Sequence, residues 1–112
     1  MPINGNAFLE FTEWLQRQTS CESEICSRCS INRAYYGAFH ITKDFLIMDE
    51  KSGHRDVIRE LKSRNEYLGN RLYDFFEERK DADYRLRYNF RRAKADRLVS
   101  EIKEFLEELG KT

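Results

Sequence analysis

From Ser30 to Leu46 the apolar positions Ile31, Ala34, Tyr35, Ala38, Ile41, Thr42 and Phe45 recur at steps of three and four, the spacing of a helix that lays one side on a core. A second stripe of the same helix carries Arg33, Tyr36, Gly37 and His40. The periodicity runs from about Glu22 to Met48, long enough at ~1.5 Å per residue to cross a small domain, so the other elements must pack around it. A first helix is predicted over Asn6 to Gln18, with Phe8, Phe11, Trp14 and Leu15 apolar and Asn4 or Asn6 able to cap it. A third follows from His54 to about Ser63 on Val57, Ile58 and Leu61, and a fourth carries Tyr67, Leu68, Leu72, Phe75 and Phe76 as far as Lys80. The last begins near Asn89 or Phe90, presents Leu98, Val99, Ile102, Phe105, Leu106 and Leu109, and stops at Gly110.

Thr19–Ser23, Asp49–Gly53 and Asp81–Asn89 interrupt the pattern, the last as an ordered, aromatic loop. No segment alternates with period two for long enough to make a strand. The expected architecture is all-α, an up-and-down bundle of four to five helices, with residues 1–112 as one domain.

Composition adds little to the fold and more to the choice of partners. With 20 Lys+Arg against 20 Asp+Glu, total charge gives no argument for nucleic acid. Between Arg79 and Arg97, however, eight basic residues face three acidic ones, a local excess that can attract phosphate. No apolar run approaches the roughly 20 residues of a membrane span. The N-terminus has neither a basic n-region nor an apolar h-region, which predicts a cytoplasmic protein without membrane contact.

The three cysteines, Cys21, Cys26 and Cys29, fall one short of a four-ligand zinc set and are odd in number for a disulfide framework. They read as reduced thiols, with Cys29 buried, and neither metal nor cofactor is expected.

Candidate chemistry starts with Arg33 and His40, two turns apart on one side of the second helix. Histidine titrates near neutral pH and can take a proton, while arginine can hold a phosphate through a bidentate fork. The alternative is packing for His40 and an ion pair for Arg33, with Glu22, Asp83 or a carboxylate on another helix as acceptor. His54 opens the third helix and reads as a capping or packing group. Asp83 can bind Arg33, Arg79 or a backbone amide, and Tyr84 can anchor its loop in the core. Tyr88 and Phe90, with Arg91 and Arg92 beside them, offer rings and charges to unpaired bases.

Taken together, Ser30-Ile-Asn-Arg-Ala-Tyr-Tyr-Gly-Ala-Phe-His40, Gly53-His54 with Val57 and Leu61, and Arg79-Lys-Asp-Ala-Asp-Tyr84 resemble the small stand-alone HEPN-domain proteins of bacteria and archaea. The resemblance runs from about Ser20 to Leu109. It implies a helical domain that commonly forms homodimers and is often paired with a nucleotidyltransferase in toxin–antitoxin or defence loci. It also implies metal-independent endoribonuclease activity, with Arg33 and His40 in the catalytic roles. Tyr36, Arg79, Asp83, Tyr84, Arg91 and Arg92 would then bind RNA or support the site. The competing implication is a non-catalytic module that dimerises and binds a partner protein.

Overall fold

The long second helix does organise the chain. A computed structural model describes residues 5–17, 24–84 and 92–111, apart from the side chains at positions 15, 16, 24 and 92. Five helices follow in order: α1 (Gly5–Arg17), α2 (Glu24–Phe45), α3 (His54–Arg64), α4 (Glu66–Tyr84) and α5 (Arg92–Gly110). They form an up-and-down all-α bundle with no strand among the described residues. At 22 residues, α2 spans about 33 Å and touches all four other helices.

One side of α2 supplies Ile31, Ala34, Tyr35 and Ala38 to the core, where they meet Val57 and Leu61 of α3, Leu68, Leu72, Phe75 and Phe76 of α4, and Leu98, Val99, Ile102, Phe105 and Leu109 of α5. Phe75 and Phe105 cross edge to face at 5.6 Å, which locks α4 on α5. Helix α1 packs on the other side of α2 and gives less to that core. Gly5 and Gly37 meet there so closely that a Cβ on Gly5 would lie 2.7 Å from the Gly37 carbonyl oxygen. Two facing glycines thus let α1 sit directly on α2 and bring Leu9 and Phe8 down onto its polar stripe. Phe11 and Trp14, predicted for a core-facing stripe, are instead about half exposed.

Helix α2 stops at Phe45, short of the predicted Met48. Its end is a Schellman turn: the Met48 N–H donates to Lys43 O and the Ile47 N–H to Asp44 O, both at 3.1 Å. Ile47 takes the left-handed position of that turn, at φ 54°, where glycine is usual, and its side chain is 92% exposed. The third helix starts at His54 as predicted, with the Gly53 N–H donating to the Asp56 carboxylate at 3.3 Å. Asn65 separates α3 from α4 and caps α4 by accepting the Leu68 N–H at 3.1 Å. Gly69 is needed at this corner, because a Cβ there would come within 2.6 Å of Lys62 Cα.

The predicted loop at 81–89 is corrected over its first part. Asp81, Ala82, Asp83 and Tyr84 are the last turn of α4. Residues 85–89 lie outside the described residues. The physical reason is long-range: the guanidinium of Arg28 on α2 donates to Ala82 O at 2.6 Å and to Asp81 O at 3.3 Å, satisfying carbonyls that the end of α4 leaves without intrahelical partners.

Candidate functional site on the polar face of the second helix

Two clusters share this face. The first joins α2 to α4. Arg79 donates from Nη1 to Asp83 Oδ2 at 3.0 Å, and Asn32 Nδ2 donates to both Asp83 oxygens at 3.0 Å. The Arg79 guanidinium also stands 5.4–5.6 Å from the ring centres of Tyr35, Tyr36 and Phe76. Its Nε has no hydrogen-bond acceptor among the described residues, so the aromatic faces provide its remaining electrostatic company. Burial works against the Arg79 charge, but the Asp83 hydrogen bond and the nearby carboxylate outweigh it and raise its pKa. Asp83 therefore takes Arg79 and Asn32, not Arg33.

The second cluster is aromatic and holds both histidines. Tyr35 Oη and His54 Nδ1 lie 2.8 Å apart, joining α2 to α3. The His54 ring packs 4.3 Å from Phe39 and 5.1 Å from Phe76. Burial, then the charges of Arg79, Lys43 and His40, push the His54 pKa down to about 4. Burial raises that of Tyr35, so its hydroxyl is protonated and can donate to Nδ1 when the imidazole proton sits on Nε2. Lys43, also buried, lies 4.6 Å from the Phe39 ring centre and donates to Glu50 O at 2.9 Å. His54 is thus a packing residue, one of the two roles anticipated for it.

His40 occupies the α1 side of the same cluster. Its ring stacks on Phe8 at 5.6 Å and 15°, lies 6.2 Å from Tyr36, and meets Phe39 edge to face at 5.2 Å. Partial burial, with Lys43 adding repulsion and Asp44 opposing it, lowers its pKa, so the imidazole is neutral at pH 7 and able to accept a proton.

Arg33 is exposed and makes no ion pair among the described residues. It borders a surface pocket of about 350 Å³ with Ala7, Phe8 and Phe11. Phe8 therefore links the two: one side helps line the Arg33 pocket and its ring carries His40. Along the helix axis Arg33 and His40 stand about 10 Å apart. Side chains on a helix all lean toward its N-terminus, so Arg33 and His40 lean the same way and the axial separation between them remains.

Tyr36 is half-buried between His40 and Arg79 and connects the clusters. Tyr84 does not anchor a loop in the core: it ends α4 and is 73% exposed. Arg91 lies outside the described residues, and Arg92 begins α5 with its side chain undescribed. Several charges of the Arg79–Arg97 stretch are spent on neighbours, with Lys80 bound to Glu77, Lys94 to Glu78 and Arg97 to Glu101. Asn32 and Arg28 were not anticipated as functional positions. The available signal was their four-residue spacing, which continues toward Tyr36 along the side that α4 covers.

The cysteine reading is corrected on two points. Cys29 is exposed, not buried, and carries a free thiol; Cys26 is disulfide-bonded, not reduced. Among the described residues no group of three or more His, Cys, Asp or Glu side chains could hold a metal ion, and no helix is long and apolar enough to cross a membrane.

Compared with protein-family models, curated proteins and solved structures, the chain matches none.

Proposed function

We propose that this bundle is a HEPN-type domain that acts on RNA through the face of α2 bearing Arg33, Tyr36 and His40. One observation carries the reading: an exposed arginine with no ion pair among the described residues and a neutral, half-buried histidine both lie beside Phe8. In the reaction, His40 takes the proton of a ribose 2′-hydroxyl, and the oxygen attacks the adjacent phosphorus. The 5′-oxygen leaves and takes a proton from solvent, giving a 2′,3′-cyclic phosphate and a 5′-hydroxyl. Arg33 holds the phosphorane oxygens. Since Arg33 and His40 stand two turns apart within a chain, the two roles are joined across a homodimer in which Arg33 of one protomer meets His40 of its partner. Arg79, Asp83 and Asn32 brace the helix and do not touch RNA.

A second reading is favoured by the exposure of Phe11 and Trp14 beside this face. There the same surface binds a partner protein, a nucleotidyltransferase by the resemblance noted above, and no bond is cleaved. Incubation of purified protein with RNA in EDTA separates the two. Cleavage by wild type that His40→Ala abolishes supports the first. RNA left intact under all conditions leaves the second.

A further inference from the structure

The pocket beside Arg33 has a chemistry of its own, apart from the proton transfer assigned to His40. Its described walls are Ala7, Phe8 and Phe11 of α1 and Arg33 of α2: two aromatic rings, one methyl group and one cation, with no carboxylate among them. At about 350 Å³ it lies at the small end of the range for small-molecule sites, ~300–1,000 Å³, with room for one flat ring system. The rings do not stop at its edge. Phe8, Phe11 and Trp14 follow at steps of three along α1, so each lies beside the next on one side of the helix. Phe11 stacks on Trp14 with ring centres 5.9 Å apart and planes 26° apart, and both are about half exposed. Glu13, the acidic residue between them in the chain, is held by Lys103 of α5 at 3.0 Å.

Charge decides what such a surface takes. An apolar peptide side chain would fill the aromatic part but cover Arg33, whose guanidinium makes no ion pair among the described residues and would be stranded away from water. A nucleotide satisfies both halves: its base stacks on Phe8 or Phe11, and its phosphate meets Arg33. A base inside a duplex is already stacked and paired, so an unpaired base is the one free to enter. We infer that the pocket of Ala7, Phe8, Phe11 and Arg33 receives an unpaired nucleobase, with Trp14 extending the stacking row, and that the RNA bound here is single-stranded; the inference rests on the reading of this face of α2 as one that acts on RNA.

Trp14 is the sole tryptophan, so its emission reports on this row of rings. The full chain is titrated with a short single-stranded 2′-O-methyl RNA, which lacks the hydroxyl needed for cleavage, with the same strand annealed to its complement, and with inorganic phosphate. The single strand should quench Trp14 emission and bind at least about 10-fold more tightly than the duplex, which must first give up a base pair and its stacking. Phosphate should leave the emission unchanged. Phe11→Leu keeps an apolar side chain at a half-exposed position but removes the ring, and should weaken binding about 5- to 100-fold with the salt dependence unaltered. Arg33→Gln should weaken it too, and lower the slope of log Kd against log salt by about 0.7, the share of one phosphate contact on a single strand. Equal affinity for single strand and duplex, or wild-type affinity in Phe11→Leu, would overturn the inference while leaving any cleavage of RNA in EDTA to stand on its own. Trp14 emission unmoved by every RNA would overturn it as well and give the row of rings to a partner protein; if RNA in EDTA also stays whole, the reading of the α2 face falls with it.

Discussion

Removing the Asp83 carboxylate tests most sharply how α2 and α4 are held together. The Arg79 side chain is 9% exposed and that of Asp83 24%, so the pair sits largely out of water. Breaking a fully buried pair costs about 3–5 kcal/mol, because the remaining charge is stranded. Asp83 is only partly buried, so water can reach the gap and the cost for Asp83→Ala falls to about 2–3 kcal/mol, including the acceptor lost to Asn32. For a domain of this size that is a fall of roughly 10 °C in Tm. Replacing Arg79 as well removes the stranded charge, so Arg79→Met with Asp83→Ala should cost less than the sum of the two single changes by at least about 1 kcal/mol. Equilibrium urea unfolding reads all three variants, with the midpoint expected to fall while the slope stays constant. An Asp83→Ala protein within about 0.5 kcal/mol of wild type, or additive single changes, would refute this account of the pair.

Stability should fall on mild acidification. The His54 pKa is about 4 in the fold against 6.5 ordinarily, so the unfolded chain gains a proton first as pH drops through 6.5. The stabilisation is complete above pH 6.5 and is lost progressively down to about 4; because the ring is only about half buried, solvent screening reduces the full linkage value to about 2 kcal/mol. Urea midpoints measured across this window should show the loss in wild type and a much flatter profile in His54→Asn. Tyr35→Phe, which leaves His54 Nδ1 without its partner, should cost about 1–2 kcal/mol in the same assay at neutral pH. Ile47→Gly should raise stability by about 1 kcal/mol, since an exposed β-branched residue at φ 54° gives up no packing when glycine relieves the left-handed strain. A lowered urea midpoint would show that Ile47 makes a contact that outweighs the strain.

What could be read from the chain was whatever repeats locally. The three- and four-residue steps of Ile31, Ala34, Tyr35 and Ala38, and of Leu98, Val99, Ile102 and Phe105, correctly marked faces that the structure buries. The end of α2 was missed because Leu46, Ile47 and Met48 continue the apolar pattern and no glycine marks the stop. The last turn of α4 was missed for the opposite reason. Asp-Ala-Asp looks unfavourable at a helix C-terminus, and the groups that make it stable, Arg28 and Asn32, arrive from more than fifty residues away. Exposure of Phe11 and Trp14 was equally hidden, since periodicity says which residues share a face but not whether another element covers it. Of the candidate site, the types and spacing of Arg33 and His40 were legible. That Phe8 joins them, and that Asp83 is committed to Arg79, depended on how α1 and α4 dock.

The central claim is that Arg33 and His40 act together on RNA across two copies of α2. The decisive measurement is cleavage of RNA in EDTA by wild type, Arg33→Ala, His40→Ala, and an equimolar mixture of the two variants after unfolding and refolding together. The account predicts cyclic-phosphate products from wild type, losses of about 10²-fold or more in each variant with the fold intact, and partial recovery in the mixture, where half of each mixed dimer pairs an intact Arg33 with an intact His40. Undiminished cleavage by His40→Ala, or RNA left whole by the wild-type protein, would contradict it.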